Sequence, residues 1–199
     1  MLELCVKTVG SITFGVAYED DRVFASGFWQ TPEEALAHLK RALPGMQCQV
    51  PKHPTEFAEK ALTAVRDIYD GKGLPETLEL SLERYPAYTQ RVLRTVYRVP
   101  VGYVTSYGAV ADAVGGGPRA VGNVMASNDF WPIVPCHRVI TSNLTLGGYG
   151  GGGLRVKFEF LKREKRGFAE PIQVSTEARP LRVFPVEFVV QKLERFFRK

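Results

Sequence analysis

The amino-acid sequence predicts a two-domain α/β (α+β) protein. A small N-terminal antiparallel sheet with helices precedes a C-terminal helical domain carrying a helix-turn-helix. Three observations carry this reading. Segments 2–9, 11–18 and 22–29 are rich in Val, Phe, Thr and Ile and are separated by Gly10-Ser11 and Glu19-Asp20-Asp21, the pattern of a short meander. Two amphipathic helical periodicities follow before residue 70. Past the Pro-bounded stretch 70–86 the periodicity is helical, and Gly115-Gly116-Gly117 parts two of its helices. The expected spans are 1–80, 85–166 and an extension, 167–199.

Each element has a local cause. Thr31-Pro32-Glu33-Glu34 supplies an N-cap, a proline at the first helical position and a glutamate at the third, the parts of a capping box. Ala35, Leu36, Leu39, Ala42 and Leu43 then recur at helical spacing, so the helix runs over 32–43 until Pro44-Gly45 breaks it. Thr55 opens a second helix with an apolar stripe of Phe57, Ala61, Leu62, Val65, Ile68 and Tyr69, ended by Gly71 and Gly73. A third helix spans about 86–98, a fourth Ser106–Val114, and Pro118 starts a fifth that ends at Ser127.

The fifth helix has two unlike faces. Val121, Val124 and Met125 pack inward, while Arg119, Gly122, Asn123 and Ala126 form an outer face of one cation and very small groups. A glycine inside a helix costs about 1 kcal/mol relative to alanine. Keeping one on an exposed side points to close approach of another surface, and a nucleic-acid backbone fits beside Arg119. An ordinary helical hairpin is the competing reading. In 167–199, LRVFPVEFVV and QKLERFFRK read as a strand and a helix packed on the body, with a DNA-contacting or oligomer arm as the alternative.

Composition sets the class. Of 199 residues, 45% are hydrophobic and 24% charged, which excludes disordered and fibrous chains. No apolar run approaches the roughly 20 residues that span a bilayer, and the N-terminus lacks a signal-peptide layout, so a soluble protein without a membrane partner is expected. The net charge of +5 suits a polyanionic partner but is modest. Cys5, Cys48 and Cys136 are too few and odd in number for a disulfide framework, although a Cys5–Cys48 bridge stays open. Zinc held by Cys5, His38, Cys48 and His53 lacks compact ligand spacing. The glycines at 150–153 are not followed by Lys-Ser/Thr, so they form no P-loop. The cysteine neighbourhood completes neither signature of a zinc deaminase.

The chemistry concentrates at residues 132–140, PIVPCHRVI. A thiol needs a base or a positive field to become the reactive thiolate, and His137 adjoins Cys136. Neighbours on an extended segment face opposite ways, so contact requires a turn or an intervening water. An inert buried cysteine beside a satisfied histidine is the alternative. Asn128 falls on the inward face with Val121 and Val124, where it can brace the cysteine turn. The loop Tyr149–Gly153 lets backbone approach a ligand closely. Leu154, Lys157, Leu161 and Glu164 line one side of the next helix, so Glu164 can orient a histidine unless it is solvated with the run KREKR.

With Pro135-Cys136-His137-Arg138-Val139 preceded by Val101-Gly102, Ser106-Tyr107-Gly108, Arg119-Ala120-Val121-Gly122 and Asn128, the chain resembles the O6-alkylguanine-DNA alkyltransferases, also called methylated-DNA–protein-cysteine methyltransferases. The resemblance is close over 85–166 and general over the first 80 residues, where it implies a ribonuclease-H-like layout. It implies single, irreversible transfer of an alkyl group from guanine O6 in double-stranded DNA to Cys136, without cofactor or metal, by a monomer in the cytoplasm or nucleus. By the same resemblance His137 is a base acting through water, Glu164 polarises it and Asn128 holds the turn. Tyr107 helps rotate the nucleotide out and donates a proton to the leaving guanine, while Arg119 fills the gap in the stack. Thr89, Ser142, Gly122, Asn123 and Ala126 meet DNA. Met125, Trp131, Val139, Tyr149 and Gly150 line the guanine pocket, Trp131 by position. The chain departs from the pattern in one extra glycine at 150–153, and Gly150 stands where many members have a guanine-binding serine. Two rivals remain: a non-catalytic damage sensor of the same fold, and a cysteine hydrolase using Cys136, His137 and Glu164.

Overall fold

A computed structural model describes the backbone of residues 1–197 and the side chains through residue 194. The end of QKLERFFRK thus lies outside the described residues. The described residues form a mixed α/β structure with two small sheets, seven α-helices and a single 3₁₀ turn. They group into two compact units.

The first unit holds residues 1–69, 74–84 and 129–133. Strands β1 (Leu2–Val9), β2 (Ile12–Glu19) and β3 (Arg22–Trp29) form the expected antiparallel meander. Its turns suit the residues in them, since Gly10 has φ 62° and Asp20 and Asp21 have φ 47° and 59°. Aspartate tolerates that left-handed region through local hydrogen bonding. Two-residue strands β4 (Cys48–Gln49) and β5 (Glu79–Leu80) add to the edges in parallel, giving the order β4-β1-β2-β3-β5.

Helix α1 (Pro32–Arg41) starts as expected, Thr31 Oγ1 accepting from the Glu34 N–H at 3.2 Å. The reciprocal bond is displaced by one residue, because the Glu34 carboxylate takes the Gln30 N–H. The α1 residue Leu39 packs with Leu2, Leu4, Ala17, Ala25 and Leu43. Helix α2 (Glu56–Tyr69) buries Ala61, Leu62, Val65 and Ile68, and its Phe57 and Tyr69 rings meet Tyr18, Phe14 and Phe28.

The second unit holds residues 70–73, 85–128 and the described chain from 134 onward. Residues 129–133 group with the first unit, and the described part of 167–199 belongs to the second as two strands and a helix. Helices α3 (Ala87–Tyr97), α4 (Tyr107–Val114) and α5 (Pro118–Ala126) lie where periodicity put them. Ser106 caps α4 by accepting from the Ala109 N–H at 3.0 Å. Between α4 and α5, Gly116 has φ 92°, and a Cβ there would come within 2.9 Å of the Tyr88 hydroxyl, so both conformation and space demand glycine.

This unit, expected as a helical domain, also contains a sheet. It joins β6 (Tyr103–Ser106), β7 (Val139–Ile140), β8 (Ile172–Val174) and β9 (Leu181–Pro185) in the order β7-β6-β9-β8. Helix α7 (Val186–Phe197) contributes Val186, Val189, Val190 and Leu193 to one core with Val104, Ile140, Leu146, Phe158 and Leu161. Buried aliphatic side chains contribute roughly 1.5–3 kcal/mol each, so the extension is a structural part of this unit.

Candidate active site

Residues 128–138 set the centre of the site. Proline at 132 and 135 deprives the segment of two donors, and the chain turns through a 3₁₀ turn at Cys136–Arg138. The Cys136 N–H donates to the Val134 carbonyl at 2.8 Å, and the Arg138 N–H to the Pro135 carbonyl at 2.8 Å. Asn128 donates from Nδ2 to the Val134 carbonyl at 2.9 Å, tying the end of α5 to this turn.

Behind the turn lies a fully buried charge cluster. His137 and Glu164 are both 0% exposed, with Nε2 and Oε1 2.8 Å apart. Burial would raise the Glu164 carboxyl, but Arg138 and His137 outweigh it and hold the pKa at about 2. An ionised carboxylate only accepts, so Nε2 carries the imidazole proton. Nδ1 is then a buried lone pair, and it has no hydrogen-bond partner among the described residues. Burial pulls the His137 pKa down despite Glu164, which keeps the ring neutral near pH 7.

Arg138 donates from Nε to both Glu164 oxygens (3.1 and 2.9 Å), from Nη2 to Oε1 (2.8 Å) and from Nη1 to the Val99 carbonyl (2.7 Å). This residue stood in the motif with no role assigned. A signal was present: an arginine inside the apolar run IVPCHRVI needs a buried carboxylate, and Glu164 lies on the apolar side of its helix.

Helix α6 (Gly153–Arg163) brings a second buried cation. Lys157 is 0% exposed and donates to the carbonyls of Val139 and Leu146 at 2.6 Å and of Gly148 at 3.2 Å. It thereby stitches the loop before α6 to β7. Burial pulls its pKa down to about 8, opposed by Cys136. Leu154, expected on the apolar side of this helix, is instead 50% exposed in its first turn.

Burial also pushes the Cys136 thiol up, opposed by the Asn128 hydrogen bond and the Lys157 charge. The resting sulfur is therefore a thiol, and the Asn128 bond and the Lys157 charge lower the cost of forming its thiolate. The sulfur opens into a cleft of about 350 Å³ shared with Tyr107, Arg119, Met125, Tyr149 and Gly150. The outer face of α5 borders the same cleft through Gly122, Asn123 and Ala126. The Tyr149 hydroxyl is buried without a hydrogen-bond partner among the described residues, and burial raises its pKa well above the usual value.

Chains with this arrangement are known. Residues 87–166 match the 6-O-methylguanine DNA methyltransferase DNA-binding domain. A methylated-DNA–protein-cysteine methyltransferase of Saccharolobus islandicus is 38% identical over 111 residues, covering 55% of this chain and 68% of that protein. The chain belongs to the methylated-DNA–protein-cysteine methyltransferases. The O6-methylguanine-DNA methyltransferase of Pyrococcus kodakaraensis has the same fold, with TM-score 0.61 and 27% identity over 82% of this chain and 99% of that one. The Mycobacterium tuberculosis protein in complex with DNA superimposes with TM-score 0.61 and 26% identity over 82% and 92%.

Two residues expected in the guanine pocket, Trp131 and Val139, are not among those lining the cleft. Trp131 groups with the first unit, its ring 4.7 Å from Phe28 and 5.4 Å from Trp29, because Ser26 fixes the backbone there. The Ser26 N–H donates to the Asp129 carbonyl at 2.8 Å and its hydroxyl to the Trp131 carbonyl at 3.1 Å. Val139 is fully buried, its carbonyl accepting from Lys157 and its N–H donating to the Cys136 carbonyl. Thr89, in the first turn of α3, and Ser142, exposed after β7, are not among the residues lining the cleft. Cys5 and Cys48 are free thiols, so no bridge joins them.

Proposed function

We infer that this methyltransferase repairs DNA by taking the alkyl group from O6-alkylguanine in a duplex onto Cys136, once per molecule. The observation that carries the reading is the shared cleft, in which the Cys136 sulfur and Arg119 line the same space. A base within a duplex cannot reach a buried sulfur, so the nucleotide must leave the stack, at a cost of a few kcal/mol. We read α4, the glycine turn and α5 as a helix-turn-helix whose outer face enters the minor groove. Arg119 takes the vacated stacking position with its planar guanidinium. Gly122 supports this role, because a Cβ there meets no atom of the chain within 4 Å. Its own fold leaves room for alanine.

The chemistry balances within the site. The thiol proton passes through a water to His137 Nδ1, and Glu164 stabilises the resulting imidazolium. Arg138, Lys157 and Glu164 leave one net positive charge near the nascent thiolate. The sulfur attacks the alkyl carbon, the S–C bond forms and the C–O6 bond breaks, with its electron pair going to guanine. Burial raises the Tyr107 pKa, so its hydroxyl is protonated at neutral pH and can hand a proton to the leaving base. His137 then returns the proton to the tyrosine side. Every group comes from one chain, so a monomer suffices. No described helix is long and apolar enough to cross a membrane, and we assign the protein to the compartment that holds DNA.

The test is peptide mass spectrometry after incubation with an O6-methylguanine duplex. One methyl group per chain is expected, on Cys136, with none on Cys136→Ala although that variant still binds duplex. An unmodified Cys136, or methylation at Cys5 or Cys48, would sink the reading. Turnover of an activated ester beyond one equivalent would support the hydrolase instead.

A further inference from the structure

Helix α3 carries Arg91, Arg94 and Arg98 at positions i, i+3 and i+7. The three line a groove of about 220 Å³ floored by Val114 and Thr95 and bordered by Thr176 and Glu177. All three arginines are exposed, and among the described residues the group has a single carboxylate neighbour. That neighbour, Glu177, reaches Arg94 Nη1 only at 3.9 Å and is itself 67% exposed. Its loop is held in place locally, since Thr176 Oγ1 donates to the Arg179 carbonyl and accepts from the Ala178 N–H.

Like charges three and four residues apart destabilise a helix. The helix dipole accounts for Arg98, which caps the C-terminus of α3, but not for Arg91 in mid-helix. The stripe spans about 10 Å along the axis, close to three nucleotide steps of about 3.4 Å. It also begins beside the DNA-facing elements. Arg91 lies over the Tyr88 ring at 5.8 Å, and Tyr88 packs against Gly116 in the turn that leads into α5.

We propose that this arginine groove is a second DNA contact, which binds backbone phosphates of the duplex outside the damaged nucleotide, with Glu177 as a resident carboxylate that the phosphates displace. Guanidinium forks match phosphate oxygens bidentately, whereas the lone carboxylate at 3.9 Å satisfies none of them. The proposal rests on the reading of duplex DNA as the partner.

The experiment measures affinity of the full chain for an undamaged duplex across a salt series. The Arg91→Ala/Arg94→Ala/Arg98→Ala variant should bind about tenfold or more weakly. Its log K against log salt should be shallower by about 0.9 for each phosphate that the variant no longer neutralises. Glu177→Gln should tighten binding about threefold, and a triple Arg→Lys variant should keep most of the slope. Should the triple alanine variant fail to fold, Arg91→Ala alone, with a slope change of about one, carries the test. Unchanged slope and affinity in the variants, with wild type binding normally, overturns the groove alone. Failure of wild type to bind any duplex overturns the functional reading instead. Loss of inorganic pyrophosphate binding without loss of duplex affinity would assign the groove to a small phosphorylated ligand and overturn the proposal.

Discussion

Cys5 and Cys136 are both buried thiols, one in each unit, and burial pushes both pKa values up. Their surroundings then differ. Around Cys5 the nearby charges are the carboxylates of Glu3 and Glu59, which push the thiol further up, against a single hydrogen bond from Tyr18. Around Cys136 the Asn128 bond and the Lys157 ammonium pull back toward the thiolate. Burial by itself yields an inert sulfur, and a reactive one needs a positive field built into the same core. That field is costly: Arg138, Lys157 and Glu164 are all withdrawn from water, whereas the first unit keeps pairs such as Lys7–Glu59 and Lys60–Glu76 at the surface.

The largest expected effect breaks the charged core. Glu164→Ala leaves Arg138 buried without its carboxylate, and removing one partner of such a pair costs about 3–5 kcal/mol. Urea unfolding of the variant against wild type measures it. Acid should do the same to the native chain. The folded Glu164 pKa of about 2 lies below its ordinary 4.5, so the unfolded state binds the extra proton. The stabilisation is complete above about pH 4.5 and is lost as pH falls toward 2, by on the order of 3 kcal/mol. Unfolding midpoints across that range should fall in wild type. A comparably small drop in wild type and Glu164→Gln would remove Glu164 as the cause.

The second test turns the Cys136 surroundings toward those of Cys5. Lys157→Met removes the ammonium, raises the thiol pKa and should slow alkyl transfer at neutral pH by about tenfold, the equivalent of one pKa unit. Its pH–rate profile should shift to the alkaline side, which a merely loosened loop would not produce.

The two sites were unequally legible in the sequence. Helix ends were readable because Thr31, Ser106 and Pro118 act locally, and the cysteine turn because two prolines and PCHRV leave few alternatives. The partnership of Arg138 with Glu164 was half visible, as a cation in an apolar run and a carboxylate on an apolar helix side 26 residues away. Strands β4 and β5, two residues each, carry no periodicity to read. The surroundings of Trp131 were not legible, because the Ser26 hydroxyl that holds its carbonyl lies 105 residues earlier and no local pattern encodes that bond. Pairing of β6 with β9 is similarly long-range, whereas β8 joins the sheet through a local hairpin with β9.

Access separates the sites as much as charge does, and Gly122 isolates it. Gly122→Ala leaves the charges around Cys136 untouched and fills space that the fold itself leaves open. Helix propensity predicts a gain of about 0.5–1 kcal/mol in stability, read from the thermal midpoint. Duplex affinity should fall severalfold, while transfer from the free base O6-benzylguanine stays near wild type. Equal duplex affinity in both proteins would show that the bare helix face serves nothing outside the chain.

The smallest effect is expected beside Cys5. Glu59 pairs with Lys7 at 2.7 Å, but the two side chains are 44% and 55% exposed. Water screens such a pair and side-chain entropy offsets it, so Lys7→Ala should change stability by no more than about 1 kcal/mol. Removing Lys7 leaves the carboxylates that disfavour the Cys5 thiolate in place, so iodoacetamide labelling of Cys5 should remain as slow as in wild type. A Cys5 that labelled as fast as Cys136 in either protein would mean that the sign of the local charge does not govern these two thiols. The contrast between the units would then reduce to access alone.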